Sequence, residues 1–238
     1  MKKIFVVTLG IILLISVNVF SQNLKDLKKA ITQKANTSKL SEEEIASGLK
    51  EALTKGTEKG VSKLSKKDGF FKDPKVKIPL PEEAKPVESK MRKMGQGKIV
   101  DDAIESVNRA AEDAVIGAKD IFVDAIKNMT ITDAINILNG DNDAATRYLE
   151  KSTRTTLVEK FKPVVKKSLD KVGATKYWNT LFSTYNKIPL VQDVNPDLDD
   201  YVTNKTIDGL FYQIAKEELA IRKNPAARTS DLLKKVFQ

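Results

Sequence analysis

Residues 100–114 read VDDAIESVNRAAEDA, and this stretch decides the fold. Its apolar residues recur every three or four positions and so share one side of an α-helix; they are Val100, Ala103, Ile104, Val107, Ala111 and Ala114. The same period recurs from residue 41 to the end of the chain, whereas alternating strand patterns are almost absent. The sequence therefore predicts an all-α protein, an irregular bundle of about eight helices, and excludes βαβ architecture.

One segment, near residues 70–80, departs from the helical period. Asp68-Gly69 and Asp73-Pro74 are turn signals. After them apolar and other residues alternate as in a short extended strand, with Val76, Ile78 and Leu80 between Lys75, Lys77 and Pro79. Because proline cannot donate to a strand ladder, Pro79 and Pro81 exclude a central strand. We expect an edge piece or a loop that lies across helices.

The first 21 residues have the pattern of a secretory signal peptide. Lys2 and Lys3 precede an apolar run over residues 4–15, and small residues stand at −3 and −1 of a cleavage site after Ser21. The alternative is an uncleaved anchor, but the apolar run is shorter than the roughly 20 residues that span a bilayer. We therefore predict an exported protein, periplasmic or secreted.

Three segments follow from this pattern. Residues 1–21 are the predicted signal peptide, residues 22–39 a polar tether, and residues 40–238 a single helical domain. A mature chain of this length can bury its own core. No cysteine is available near the cleavage site to receive a lipid.

The chain contains neither cysteine nor histidine. The first absence excludes disulfides and thiol catalysis. The second removes the usual general base near neutral pH and the commonest metal ligand. No phosphate-binding glycine loop or nucleophile elbow is present either. We expect no enzymatic activity, no metal and no cofactor.

The formal net charge is +9, which favours anionic partners such as membrane lipid. Lysines and arginines nevertheless alternate with acidic residues along every predicted helix, and no dense basic block stands out. Without aromatic residues interleaved among basic ones, and with an export signal, nucleic acid is excluded as a partner.

Two groups of charged residues lie on predicted helices. Arg109 and Glu112 are three positions apart on the most apolar helix, and Glu217 and Glu218 precede Arg222 on the long helix near the end. Arg228 follows that helix. If the helices pack together, these charges could line one polar pocket. Adjacent glutamates on a helix point about 100° apart, however, so salt bridges between helices are the simpler interpretation.

Two acidic loops resemble metal sites only in part. DVNPDLDD at residues 193–200 offers oxygen ligands at every second position, as a calcium loop does, but lacks the glycine and the final glutamate. The second loop, residues 139–143, precedes a helix. Carboxylates at such positions interact well with the positive end of a helix dipole. We favour helix capping for both and leave calcium as the alternative for the first.

Aromatic residues form two small groups. Phe70 and Phe71 lie in the non-helical segment, and Trp178 and Phe182 share a helical face. Core packing explains such a face most simply. The alternative is that these side chains line a cavity for an apolar ligand or lipid.

Several stretches resemble one bacterial family of uncharacterised proteins. They are SEEEIASGLKEAL at 41–53, KIPLPE at 77–82, NRAAE at 108–112, NGDNDAAT at 139–146, YVT at 201–203, DGLF at 208–211 and NPAARTSDLLKKVF at 224–237. Together they resemble domain-of-unknown-function family 4197, from about residue 40 to the end. The resemblance implies an exported helical protein and no known activity.

Three functional hypotheses follow. The first is a binding module of the cell envelope for an apolar small molecule or lipid, with peripheral membrane contact included. Its candidate site residues are Phe70, Phe71, Trp178, Phe182, Arg109, Glu112 and Arg228. The second is an envelope scaffold that binds another protein through residues 77–82 and the last helix. The third, a carboxylate-based hydrolase, is the least favoured. An enclosed apolar cavity would favour the first hypothesis, and a solid core with an exposed apolar patch the second.

Overall fold

The computed structural model describes residues 40–194 and 196–237. Its helices are α1 Glu42–Leu64, α2 Lys85–Lys93, α3 Gly97–Ala114, α4 Lys119–Lys127, α5 Ile131–Leu138, α6 Ala144–Lys171, α7 Ala174–Asn186, α8 Leu198–Lys223 and α9 Asp231–Val236. Short 3₁₀ turns cover Glu82–Ala84, Val115–Ala118 and Pro225–Ala227. No strand occurs in the described residues, so the predicted all-α class is confirmed.

The core lies among the four longest helices. α6 packs along α8, α1 packs on α8, and α3 contacts both α6 and α7. The apolar face predicted for α3 is buried along its whole length. Each fully buried valine, leucine or isoleucine of such a face contributes about 1.5–3 kcal/mol of hydrophobic stabilisation. This burial, rather than the intrinsic propensity of any one helix, holds the bundle together.

Glycines allow close approach at three places on α1. Gly56 and Gly60 lie four residues apart on α1, which predicts that another helix packs closely against this side. A Cβ placed at either position would lie within 3.6 Å of an α8 side chain. The tightest approach is at Gly48, where a Cβ would lie 2.7 Å from Cγ2 of Val236 in α9. The short last helix, α9, therefore packs directly against α1.

The helix boundaries have local causes. Thr130 and Asp133 form a reciprocal capping box at the start of α5, and the side chains of Asp197 and Ser230 cap α8 and α9. Gly173, with φ of +73°, separates α6 from α7, because a left-handed conformation is accessible to glycine at little cost.

The segment between α1 and α2 is irregular. Its backbone forms successive tight turns from Lys66 to Lys77, followed by chain without regular secondary structure up to Pro81. Val76 in the last turn and Ile78 and Leu80 after it are buried. The predicted alternation is confirmed, since the residues between them are exposed. Of the two predicted forms, the structure has the loop across helices.

Three details of the helices differ from the sequence prediction. Pro163 predicts a kink or a restart within this helix, but α6 runs through it without a break, so no restart occurs; Pro163 itself is exposed. α8 begins at Leu198, so part of the acidic loop forms its first turn. The helical period places Met94 on one face with Val87 and Met91, but Met94 is 51 % exposed because α2 ends at Lys93.

The predicted signal peptide and tether, residues 1–39, lie outside the described residues. Among the helices that are described, none is sufficiently apolar over a sufficient length to span a bilayer.

Candidate functional site

A set of polar side chains on α3 binds the backbone of the irregular segment. Glu112, which is only 4 % exposed, accepts hydrogen bonds through Oε1 from the backbone N–H groups of Phe70 and Phe71, both at 3.1 Å. Its Oε2 accepts from Nη1 of Arg109 at 2.8 Å. The buried carboxylate thus holds the turn in place, and all its described partners are donors of this chain.

Asn108 fixes the extended part of the segment. Its Oδ1 accepts from the N–H of Ile78, and its Nδ2 donates to the carbonyl oxygen of the same residue, both at 2.8 Å. The amide therefore replaces the neighbouring strand that Ile78 would otherwise need. The hydroxyl of Tyr201 on α8 donates to the carbonyl of Pro79 at 2.8 Å. Burial, with Glu83 and Glu82 nearby, raises the pKa of Tyr201 to about 12, so this donor keeps its proton at neutral pH.

Arg109 connects the segment to α3 through charge. Its guanidinium contacts Glu112, Asp68 at 2.7 Å and Glu105 at 3.0 Å. Burial opposes the charge on Arg109, but these three hydrogen bonds outweigh it and raise its pKa. The hydrogen bond from Arg109, followed by that from Lys72, lowers the pKa of Asp68. Arg109 is therefore fully engaged in ion pairs within the chain.

The ring of Phe71 is close to two cations. The Arg109 guanidinium carbon is 5.2 Å from its ring centroid and Nζ of Lys77 is 4.5 Å from it. Phe70 points the other way: it is fully buried, and its ring would lie 2.7 Å from a Cβ on Gly209 of α8. The predicted site residues Phe70, Phe71, Arg109 and Glu112 therefore come together, but as an anchor for the segment.

The outer side of the anchored segment is rich in lysine. We call residues 63–77 the basic turn; its six lysines are exposed, namely Lys63, Lys66, Lys67, Lys72, Lys75 and Lys77. Its carboxylates are Asp68 and Asp73, which give it a formal net charge of 6 − 2 = +4. Within the described residues, Lys66, Lys67 and Lys75 make no ion pair, and they remain available to a partner.

The glutamates of α8 point to different neighbours. Glu217 binds Nζ of Lys59 on α1 at 2.6 Å and Nε2 of Gln213 at 3.1 Å. Glu218 accepts from the N–H groups of Ala145 and Thr146 at the start of α6. The two carboxylates therefore do not converge, and the predicted ion pairs between helices are present.

Arg222 and Arg228 bind the ends of helices. Arg222 pairs with Glu218 at 2.9 Å and donates to the carbonyls of Ile137 and Leu138 at the end of α5. Arg228, a predicted site residue, donates to the carbonyls of residues 221 and 222 at the end of α8. Guanidinium groups stabilise the negative ends of helix dipoles. Arg228 is therefore far in sequence from Glu112 and Asn108, and it stabilises the C-terminal end of α8.

Trp178 and Phe182 are buried on α7. Their ring centroids are 4.9 Å apart, and Trp178 is 6.3 Å from the ring of Tyr201. The indole Nε1 of Trp178 has no acceptor among the described residues. These contacts place the two predicted wall residues in the packed core.

The acidic loops are paired with basic side chains. Asp197, Asp199 and Asp200 approach Lys162 and Lys166 of α6 within 4.0 Å. Asp141 and Asp143 pair with Arg147. Within residues 40–194 and 196–237, no group of three or more acidic side chains is arranged to hold a metal ion. The capping prediction is confirmed for Asp197 at the start of α8, but Asp143 at the start of α6 makes no capping hydrogen bond through its side chain.

Three cavities in the described part of the chain are small or open. One between α1, α6 and α8 measures about 10 Å³, which is room for a single water. Two surface grooves measure about 580 and 310 Å³, along residues 170–183 of α6 and α7 and beside Tyr212 and Leu219 of α8. None of the predicted wall residues, Phe70, Phe71, Trp178 and Phe182, lines any of these three.

All of the residues described above fall inside one region of family similarity. The model of the family described as "Protein of unknown function (DUF4197)" matches residues 39–238. The chain belongs to this family. The match begins close to the expected start of the resemblance and ends with the chain. No curated protein and no solved structure matches it.

Two features of this DUF4197 chain escaped the sequence interpretation. The anchoring role of Asn108 and Tyr201 depends on contacts across 30 and 122 residues, which no local pattern contains. The basic turn could have been found, because six lysines within residues 63–77 form a local excess. The lysine excess does not stand out because basic and acidic residues alternate along the rest of the sequence.

Proposed function

We propose that the protein is exported, has no catalytic activity, and binds an anionic partner in the cell envelope through its basic turn. The observation that carries this proposal is the anchoring of a lysine-rich turn by buried Glu112 and Asn108. Burying a carboxylate costs several kcal/mol unless it is paired and hydrogen-bonded. Here that buried group fixes a segment that presents unpaired lysines to solvent.

The chemistry of the buried carboxylates supports a binding role over a hydrolytic one. A general acid or base must reach a substrate proton. Glu112, Glu217 and Glu218 each lie under 10 % exposed and accept hydrogen bonds from groups of this chain. In each case, substrate access would require breaking contacts that hold helices or turns together.

The filled core supports surface contact over an enclosed apolar ligand. The cavity between α1, α6 and α8 has room for one water, and Trp178 and Phe182 pack on each other. Ligand binding between helices stays a prediction, and native mass spectrometry of the protein from its own envelope fraction tests it. A retained lipid-sized mass would favour that hypothesis.

Cell fractionation tests the proposal. The turn variant replaces three unpaired lysines of the basic turn by glutamine: K66Q, K67Q and K75Q. The matched control removes the same charge from exposed lysines of α6: K151Q, K160Q and K167Q. We expect the wild type and the control to sediment with the envelope and to be released by high salt, and the turn variant to appear in the soluble exported fraction.

Two results would contradict the proposal. One is a turn variant that sediments exactly as much as the wild type. The other is a chain that stays in the cytoplasm. Intact mass of the exported protein provides the second readout, because cleavage after Ser21 predicts a mature chain that begins at Gln22.

A further inference from the structure

We propose that the anionic partner of the basic turn is the headgroup surface of a phospholipid bilayer, which the protein binds peripherally and reversibly. This inference rests on the proposed function and names its partner. It follows from the shape of the turn, from the type of its cations and from how they are distributed.

The basic turn is built from tight reverse turns. Backbone hydrogen bonds from Gly69 to Lys66, from Lys72 to Asp68 and from Lys77 to Asp73 reverse the chain repeatedly. The three cavities described above are lined by other residues. A small anionic ligand is usually held in a concave site, whereas an exposed stretch of lysines suits a broad charged surface.

The cations that face solvent are lysines, and the arginine faces inward. Arg109 directs its planar fork to Asp68, Glu105 and Glu112. Recognition of an individual phosphate favours such a fork, which binds two oxygens at once. Lysine is a flexible, strongly hydrated point charge. Lys66, Lys67 and Lys75 therefore suit the diffuse negative charge of many headgroups.

The lysines lie on one short segment that the anchor holds. Glu112 and Asn108 bind its backbone at Phe70, Phe71 and Ile78; Lys75 lies between these points, and Lys66 and Lys67 shortly precede Phe70. The nearby exposed carboxylates, Glu82 and Glu83, follow the turn along the chain and mark the end of the positive stretch. Electrostatic attraction to anionic lipid amounts to about 1 kcal/mol per basic residue near the surface.

Sedimentation with vesicles tests the inference. The protein is the mature chain from Gln22, and the vesicles consist of phosphatidylcholine with or without phosphatidylglycerol. We expect binding only to the anionic vesicles and release in high salt, because the Debye length falls from about 10 Å at 0.1 M to about 3 Å at 1 M. For the turn variant we expect a loss of about 100-fold in the partition coefficient, from three lysines at the cited energy.

Two further variants separate the turn from other sources of charge. The α6 control, with K151Q, K160Q and K167Q, removes the same net charge, and we expect it to bind as the wild type does. The second variant tests residues 22–39, which contain five lysines and one aspartate; it carries K25Q, K28Q and K29Q. We expect it to keep the larger part of the binding. Equal circular dichroism and thermal unfolding of all variants confirm that each is folded.

The outcomes are distinct. Failure of the wild type to bind anionic vesicles, an equal loss in the α6 control, or a loss confined to the variant in residues 22–39 overturns the inference. If vesicles fail but envelope sedimentation still depends on the turn, the partner is an anionic polysaccharide or an acidic protein. The bilayer inference then falls, and the proposed function stands.

Discussion

Glu112 shows how one buried charge organises an irregular segment. A carboxylate that accepts two backbone N–H groups and an arginine is stable in the interior only while all of these donors are present. Glu105, on the same helix and also bound to Arg109, is 49 % exposed and makes no contact with the segment backbone among the described residues. The two glutamates therefore form a natural comparison.

We predict that Glu112→Gln lowers the free energy of unfolding by about 2 kcal/mol, because the hydrogen bonds that residue 112 accepts from Phe70, Phe71 and Arg109 lose the carboxylate charge. Glu105→Gln should cost no more than about 0.5 kcal/mol, as exposed ion pairs do. Urea unfolding measures both. Equal effects of the two substitutions would show that the buried carboxylate is not the anchor.

Glycines on the helices determine how closely neighbouring elements approach. For two of these glycines we predict opposite effects of alanine on the free energy of unfolding. At Gly209 of α8 a Cβ would lie 2.7 Å from the ring of Phe70, which is fully buried and has no free space. At Gly56 of α1 the nearest atom would be 3.6 Å away, an ordinary van der Waals contact. The same substitution should therefore have opposite signs at the two sites.

We predict that Gly209→Ala destabilises the protein by about 1 kcal/mol net, because overpacking of about 1–3 kcal/mol exceeds the gain in helix propensity. Gly56→Ala should stabilise it by about 0.5–1 kcal/mol. Thermal and urea unfolding test the pair. Stabilisation at Gly209 would mean that Phe70 can move, and with it the basic turn.

At the scale of helices, charged side chains of α8 bind the ends of neighbouring helices. Glu218 lies at the positive N-terminal end of α6, and its partner Arg222 lies at the negative C-terminal end of α5. Both contacts have the favourable sign for a helix dipole. Glu218 and Arg222, which the sequence suggested as part of a polar pocket, therefore join α5, α6 and α8.

The molecule as a whole has a simple titration profile. It contains no histidine, so no side chain has an ordinary pKa between 5 and 8. Burial acts to raise the pKa of Asp113, but hydrogen bonds from Lys171 and Ser168 outweigh burial, so the pKa of Asp113 is lowered. Hydrogen bonds from Arg109 and Lys72 lower the pKa of Asp68. Tyr201 has its pKa raised to about 12 by burial.

We predict constant stability between about pH 5 and 8, with losses on both sides. A lowered carboxylate pKa stabilises the folded state above the ordinary value of about 3.9, and this contribution disappears as the pH falls through the folded-state pKa. The raised pKa of Tyr201 stabilises the fold below the ordinary value of about 10, and this part disappears as the pH rises towards about 12. Urea midpoints measured across pH test this, and a step near pH 6 would contradict it.

The sequence by itself determined the helical class, the buried face of α3, the non-helical segment near residues 70–80 and the family. These depend on periodicity, turn residues and short motifs, all of which are local. Only the tertiary structure decided that Arg109 and Glu112 anchor the segment instead of lining a pocket, that Glu217 and Glu218 diverge, and that α6 passes through Pro163. Each of these depends on which helices pack together, because a side chain's partner, its burial and its access to water are properties of residues far apart in the chain.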